Sequence, residues 1–261
     1  MERPAGLNEL SGAAISHTEP NVVWVLADGG NGEFVWKLGG HGSVFGRVEI
    51  DGVRNTDWED MDSFTWRGRP WLLIADVGDN LALRDSVSLH IVGEPSGASR
   101  SVPVGWTVRF RYPDGPRDCE AVAVDAADSK VLLISKRTRP PIAYEVPLRP
   151  PSGEVVVARR LGSVSLPAES PIFGPYAAQP TGMAISPDGQ TAAVLTYARV
   201  HLFRRQPGQS WAEAFAAKPV SLPRHGLAQA EAITFSADGR EILVFSEGSG
   251  EPVKKYELSA D

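Results

Sequence analysis

One cysteine, Cys119, stands among the 261 residues, which excludes an intrachain disulfide and any zinc site built on clustered thiolates. Long apolar runs are also missing. The longest, such as Val22–Ala27 and Val131–Ile134, fall far short of the ~18 residues a membrane-spanning helix needs. There is no Lys/Arg block, and 32 acidic against 26 basic side chains leave a net charge of −6, a poor basis for nucleic-acid binding. The five histidines, His17, His41, His90, His201 and His225, share no metal-ligand spacing. Neither Ser135 nor Ser246 sits in a Ser/His/Asp pattern. No charged-then-apolar leader occupies Met1–Ser11, so no export signal is visible and the compartment stays open between cytoplasmic and secreted. No segment keeps a helical apolar period, and Ser210–Lys218 comes nearest.

What is present is a repeat. Five segments begin at Ser11, Glu59, Glu120, Thr181 and Glu231, and each runs from a small or acidic polar residue into a short apolar strand. A turn follows in every case, at Pro20-Asn21, Arg67-Gly68, Asp128-Ser129, Asp188-Gly189 and Asp238-Gly239. The Asp-Gly pairs predict type I′ hairpins, whose two central residues need positive φ. A second apolar strand comes next (VVWVLAD, WLLIAD, VLLISK, AAVLTY, EILVFSE), then a third. Four of the five units add a fourth alternating stretch. Units about 52 residues apart on average with this grammar predict an all-β chain, a single β-propeller domain over 1–261 with five four-stranded blades. The fifth unit stops at Asp261, so residues before Leu10 are expected to supply its last strand and close the ring. Six blades, with one degenerate and hidden in Ser163–Gln179, and a β-sandwich are the alternatives.

A propeller gathers the starts of its innermost strands and the ends of its second strands at one face. That face would collect Asp28, Glu59, Asp60, Asp76, Glu120, Glu231 and Glu247 against Lys136 and Arg137. Crowded carboxylates cannot all stay ionised unless a cation neutralises them or their pKa values rise. Hard oxygen donors without thiolate suit Ca²⁺, or alternatively Mg²⁺. Glu59, Glu120 and Glu231, at equivalent entries, are the first expected metal ligands, with Asp76 and Asn80 next. Asp60 or Glu247 is the expected general base. Lys136 and Tyr197 are expected to orient substrate and stabilise developing negative charge. A plainer account of any one of these acids is that it accepts backbone N–H bonds from the next blade. Trp58, beside Glu59, is placed to wall a pocket, and His225 to reach the channel. Cys119 reads as buried filler rather than as a nucleophile.

The segments Trp58-Glu59-Asp60, Gly78-Asp79-Asn80, Cys119-Glu120-Ala121, Thr181-Gly182-Met183 with Ser186-Pro187-Asp188-Gly189, and Glu231-Ala232-Ile233 with Ser246-Glu247-Gly248 resemble bacterial propellers of the SdiA-regulated and phytase-like (esterase-like) type. More distantly they resemble the gluconolactonase and senescence marker protein family. The resemblance implies a channel-bound Ca²⁺ held by Glu59, Glu120, Asp76, Asn80 and Glu231 that polarises a carbonyl or phosphoryl oxygen. The expectation is therefore a metal-dependent hydrolase of a lactone, ester or phosphoester, acting as a monomer on a small-molecule or carbohydrate ligand in the channel. A non-catalytic binding propeller and a glycoside hydrolase using Glu120 and Glu231 are the alternatives.

Overall fold

The computed structural model describes residues 7–39, 42–96, 98–151, 153–248 and 250–258. Its regular structure is almost entirely strand, arranged as successive antiparallel meanders. The first unit comprises β1 (Leu10–Ile15), β2 (Val22–Ala27), β3 (Phe34–Gly39) and β4 (Val44–Asp51). The second comprises β5 (Trp58–Trp66), β6 (Arg69–Asp76), β7 (Val87–Gly93) and β8 (Ser101–Arg111). In the third, β9 (Cys119–Asp125), β10 (Lys130–Ser135) and β11 (Ile142–Pro147) are followed by β12 (Val155–Val157) and β13 (Arg159–Ser163). The fourth holds β14 (Pro180–Ile185), β15 (Thr191–Thr196), β16 (Val200–Arg204), helix α1 (Trp211–Ala216) and β17 (Val220–Ser221). The fifth holds β18 (Ala230–Phe235), β19 (Glu241–Ser246) and β20 (Lys254–Glu257). Among the described residues no helix is long and apolar enough to cross a membrane.

The first strands of the units contact one another in order, β1 with β5, β5 with β9, β9 with β14, β14 with β18, and β18 back with β1. Five apolar clusters fill the seams between successive units. Trp24, Trp58 and Ile74 pack between the first and second, and Leu73, Phe110 and Tyr144 between the second and third. Ile134, Met183 and Phe215 fill the third seam, and Leu195, Ile233 and Val244 the fourth. Ala232, Leu243 and Phe245 meet Leu10, Ala13 and Val25 in the last. Each large side chain taken fully out of water contributes about 1.5–3 kcal/mol, so burial between units holds the ring. Parallel pairing of β4 and of β12 with β8 adds hydrogen bonds that join the first and third units to the second. Among the described residues the seam between first and fifth units is filled by packing and bridged by the Gly248 N–H to the Asn8 carbonyl (2.8 Å) and the Ile15 N–H to the Thr234 hydroxyl (3.1 Å). The fifth sheet has three strands among the described residues. Residues 7–9 form no strand, and the expected closing strand otherwise falls on residues 1–6, outside the described residues.

Every first strand carries a β-bulge at the same place. The ladder shifts between Leu10 and Gly12, Trp58 and Asp60, Cys119 and Ala121, Pro180 and Gly182, and Ala230 and Ala232. The extra residue in each is Ser11, Glu59, Glu120, Thr181 or Glu231, the five residues that open the sequence repeat. Bulges bend a strand and re-aim a side chain. The next residue is Gly12, Asp60, Ala121, Gly182 or Ala232, so four tiny side chains face one carboxylate. At Gly12 a Cβ would lie 2.7 Å from the Met61 nitrogen, so only glycine admits β5 this closely.

Turn chemistry differs from expectation at the Asp-Gly pairs. Gly189 (φ 71°) and Gly239 (φ 71°) are left-handed but the aspartates before them are not. The Gly189 and Gly239 N–H groups bond the Ser186 (2.8 Å) and Ser236 (2.9 Å) carbonyls, the type I turn with a following left-handed residue used by longer hairpins. Asp188 and Asp238 instead accept side-chain bonds from Ser186 (2.5 Å) and Ser236 (2.7 Å). Both central residues are left-handed at Arg67 (φ 52°) and Gly68 (φ 72°). The short helix starts at a capping box in which the Ser210 hydroxyl and Glu213 satisfy each other's backbone N–H groups. Residues 164–179 hold no strand, only a 3₁₀ turn at Pro171–Phe173.

Candidate functional site

The five bulge residues lie at one end of the ring, where antiparallel pairing also brings the ends of the second strands. Their side chains divide into two kinds. The Ser11 hydroxyl donates to the Trp58 carbonyl (2.8 Å) and the Thr181 hydroxyl to the Ala230 carbonyl (2.7 Å), each in an adjoining unit. These two fasten neighbouring units. The three glutamates are buried, and two of them turn to other partners. Glu120 is ion-paired with Lys136, whose ammonium also donates to the Tyr197 hydroxyl (2.9 Å). Tyr197 donates in turn to Glu231 (2.7 Å). A continuous chain therefore runs from Glu120 through Lys136 and Tyr197 to Glu231.

Glu59 has no such partner. It is 6% exposed, and no hydrogen bond reaches its carboxylate among the described residues. What surrounds it is acid. Carboxylate oxygens of Asp28, Asp57 and Glu59 lie within 4.8 Å of one another, and so do those of Glu59, Asp118 and Glu120. Gly78 passes over this group so closely that a Cβ there would collide with Asp57 and Glu59, and one at Gly29 would lie 3.1 Å from an Asp57 oxygen. The two glycines let backbone close over one side of the cluster, while Asp28 and Asp57 stay half-buried.

Burial pushes the Glu59 carboxyl far up, reinforced by Glu120, Asp28 and Asp57. It raises Glu231 to about 7, with Lys136 and Tyr197 opposing. Asp57 rises to about 6 through burial and the neighbouring Asp28. Burial also raises Glu120 against the pull of Lys136, as well as Asp28 and Glu247. Burial works against the Lys136 charge, but Glu120 and Glu231 outweigh it and hold the ammonium protonated. The cluster thus holds more carboxyl groups than charge it can tolerate alone.

Not every expected residue joins this group. Asp60 is fully buried and accepts the N–H groups of Met61 (2.8 Å), Val122 (2.7 Å) and Met183 (3.2 Å), from β5, β9 and β14. It staples the ring and has no water-facing oxygen to act as a base. Asp62 repeats the pattern with Ser63 (2.8 Å) and Val124 (2.7 Å). Asp76 is paired with Arg84 (2.7 Å); burial would raise its carboxyl, but His90 and Arg84 hold it below the ordinary range. Asn80 accepts from Arg137. Glu247 accepts from the Gln229 amide (2.8 Å). Trp58 is wholly buried in the seam between the first two units, so it walls no pocket. The His225 ring sits 3.1 Å from the Thr196 carbonyl and takes the Leu227 N–H (3.1 Å), pinning its own loop. Cys119 is buried filler whose thiol burial pushes up to about 12.

Asp57, Asp118 and Arg84 are the additions. A signal for the first two was present: Asp57-Trp58-Glu59 and Asp118-Cys119-Glu120 repeat Asp-x-Glu at two strand entries.

No protein-family model matches the sequence, and no curated protein aligns with it. Solved structures do resemble it. A gluconolactonase from Xanthomonas campestris superposes with a TM-score of 0.54 at 11% identity, covering 96% of this chain and 72% of that one. The PQQ-bound aldose sugar dehydrogenase of Streptomyces coelicolor gives 0.51 at 11%, covering 98% and 96%. Hydrazine synthase of Kuenenia stuttgartiensis gives 0.51 at 10%, covering 97% and 84%. At such identities the likeness is one of fold, and it spans nearly the whole chain: this is a β-propeller-type protein.

Proposed function

We propose that the chain is a single-domain, monomeric propeller of five units, akin to the SdiA-regulated and phytase-like propellers. We propose that it holds a divalent cation, Ca²⁺ before Mg²⁺, at its acidic mouth and hydrolyses a lactone, ester or phosphoester there. The observation that carries this reading is Glu59, a buried carboxylate without a hydrogen-bond donor that belongs to two carboxylate triads at once. The donor set fits such an ion, being all hard oxygen without thiolate or imidazole. Glu59 and Glu120, with Asp28, Asp57 and Asp118, would hold it. Glu120 and Asp118 would have to share their oxygens with Lys136 and Arg137, which leaves Glu59, Asp28 and Asp57 as the leading holders. Asp76, Asn80 and Glu231 are likewise engaged by Arg84, Arg137 and Tyr197. A cation bound there would supply Lewis acidity and a more acidic water.

The chain's own groups supply the rest. Lys136 keeps its proton and offers a fixed positive charge to an anionic oxygen. Tyr197 hands its hydroxyl proton toward Glu231, whose carboxyl near 7 suits a proton acceptor at neutral pH. Glu247, half-buried beside Gln229, is a second acceptor. A lactone is favoured among the substrates because one structure of like fold is a gluconolactonase.

Calorimetric titration of chelator-stripped protein with Ca²⁺ and then Mg²⁺ tests the reading. Saturable Ca²⁺ binding that Glu59→Gln abolishes without unfolding the protein supports it, and lactone and phosphoester screens then follow. Absence of heat means that the acids share protons among themselves. The binding-module reading, with a small molecule, glycan or protein as ligand, would then lead.

A further inference from the structure

Lys136 and Tyr197 also line a cleft of about 660 Å³, within the ~300–1,000 Å³ of small-molecule sites. Its composition is the opposite of the acidic cluster. Lys136, Arg137 and Arg224 line it, and no carboxylate does. Its apolar walls are Phe173, Tyr176 and Leu227. In a chain of net charge −6, three cations line one cavity while their partners Glu120, Asp118 and Glu169 stand outside the lining.

The cations keep donors in reserve. Arg137 bonds Asp118 through Nε (2.7 Å) and Asn80 through one terminal nitrogen. Arg224 bonds Glu169 through one nitrogen (3.1 Å) and lies 3.2 Å from the centre of the Phe173 ring. A guanidinium carries five N–H donors and an ammonium three. Each of the three groups therefore has N–H bonds unused among the described residues. The wall is built on the long connection 164–179, tied down by Arg139 to the Pro175 carbonyl (2.6 Å) and by Glu169 to Arg199 (2.8 Å). Connections of this length without strands are uncommon in compact domains and tend to be functional. This one leaves Phe173 47% and Tyr176 57% exposed beside the cavity, where apolar surface is costly unless something covers it.

We infer that this cleft binds a small molecule with an apolar body and a terminal oxyanion, a carboxylate or a phosphate. The oxyanion would meet Arg137, Arg224 and Lys136, and the body would lie against Phe173 and Tyr176. The inference goes beyond the cation site: it shares Lys136 and Tyr197 with it but rests on Arg137, Arg224, Phe173 and Tyr176, which have no part in holding the cation.

The test uses 4-phenylbutyrate and 4-phenylbutyl phosphate against 4-phenylbutanol and 4-phenylbutylammonium, titrated into the whole protein with chelator and again with Ca²⁺. At least one anion should bind, and at least about tenfold more tightly than the alcohol, the factor expected of one charge-assisted hydrogen bond. The ammonium should bind worst. Which anion binds tighter identifies the headgroup. Arg137→Gln and Tyr176→Ala, with unchanged melting profiles, should each weaken the anion several-fold. Equal binding of the anions and the alcohol, or anion binding indifferent to both substitutions, overturns the inference. Anion binding to a protein that takes up no Ca²⁺ in its own direct titration would sink the cation site and leave the cleft standing. The converse result would do the reverse.

Discussion

Glu59 and Asp60 are neighbours on one strand, both withdrawn from water, and they are held in opposite ways. Asp60 is fed by three backbone N–H groups from three strands. Glu59 accepts no hydrogen bond among the described residues and lies in two carboxylate triads, with Lys136 the cation that acts on it. The same contrast separates the inside of the ring from its mouth. Inside, a carboxylate replaces hydration with amide donors and ties strands together, and four Gly or Ala residues at equivalent positions leave it room. At the mouth, Ser11 and Thr181 perform the fastening, and the glutamates at the other three bulges are spared from it. A buried acid with a full set of donors is a structural element. One without donors implies a missing proton or a missing cation.

The comparison can be broken at its strongest point first. Asp60→Ala leaves three buried N–H groups unpaired and should lower unfolding free energy by about 3 kcal/mol or more in urea titration. A loss under 1 kcal/mol would remove Asp60 as a staple. Gly12→Ala forces a methyl into the β5 backbone and should cost about 1–3 kcal/mol by the same measurement. Ser11→Ala and Thr181→Val each delete one bond between units and should cost about 1 kcal/mol. Glu59→Gln should act with the opposite sign. In chelator it relieves repulsion and should stabilise by about 1 kcal/mol. A large destabilisation by Glu59→Gln would make Glu59 structural, like Asp60.

Much of this was legible in the residues. The five repeat entries are the five bulged residues, and the convergence of Glu59, Glu120, Glu231, Lys136 and Tyr197 followed from the repeat alone. Asp60 was not separable from Glu59, because a bulge interrupts the two-residue alternation from which facing is read. Trp58 was misplaced for the same reason. Asp76 reads as a free ligand because its partner Arg84 comes from a loop whose course no periodicity encodes, and the spacing that places Arg137 at the mouth does not pair it with Asn80. The cleft was invisible for a similar reason, since its wall is a loop without strand or helix pattern.

The most direct test of an uncompensated acidic mouth is the melting temperature as a function of pH, with chelator and with Ca²⁺. Glu59, Glu120 and Glu231 have folded-state pKa values above their unfolded ones, so the native state binds more protons than the unfolded chain. Stability in chelator should therefore fall as pH rises from the ordinary carboxylate range to about 7, where Glu231 ionises. Ca²⁺ should flatten or reverse that fall, with a shift that grows with pH. A chelated protein that gains stability across the same window, with Ca²⁺ making no difference, would contradict the account.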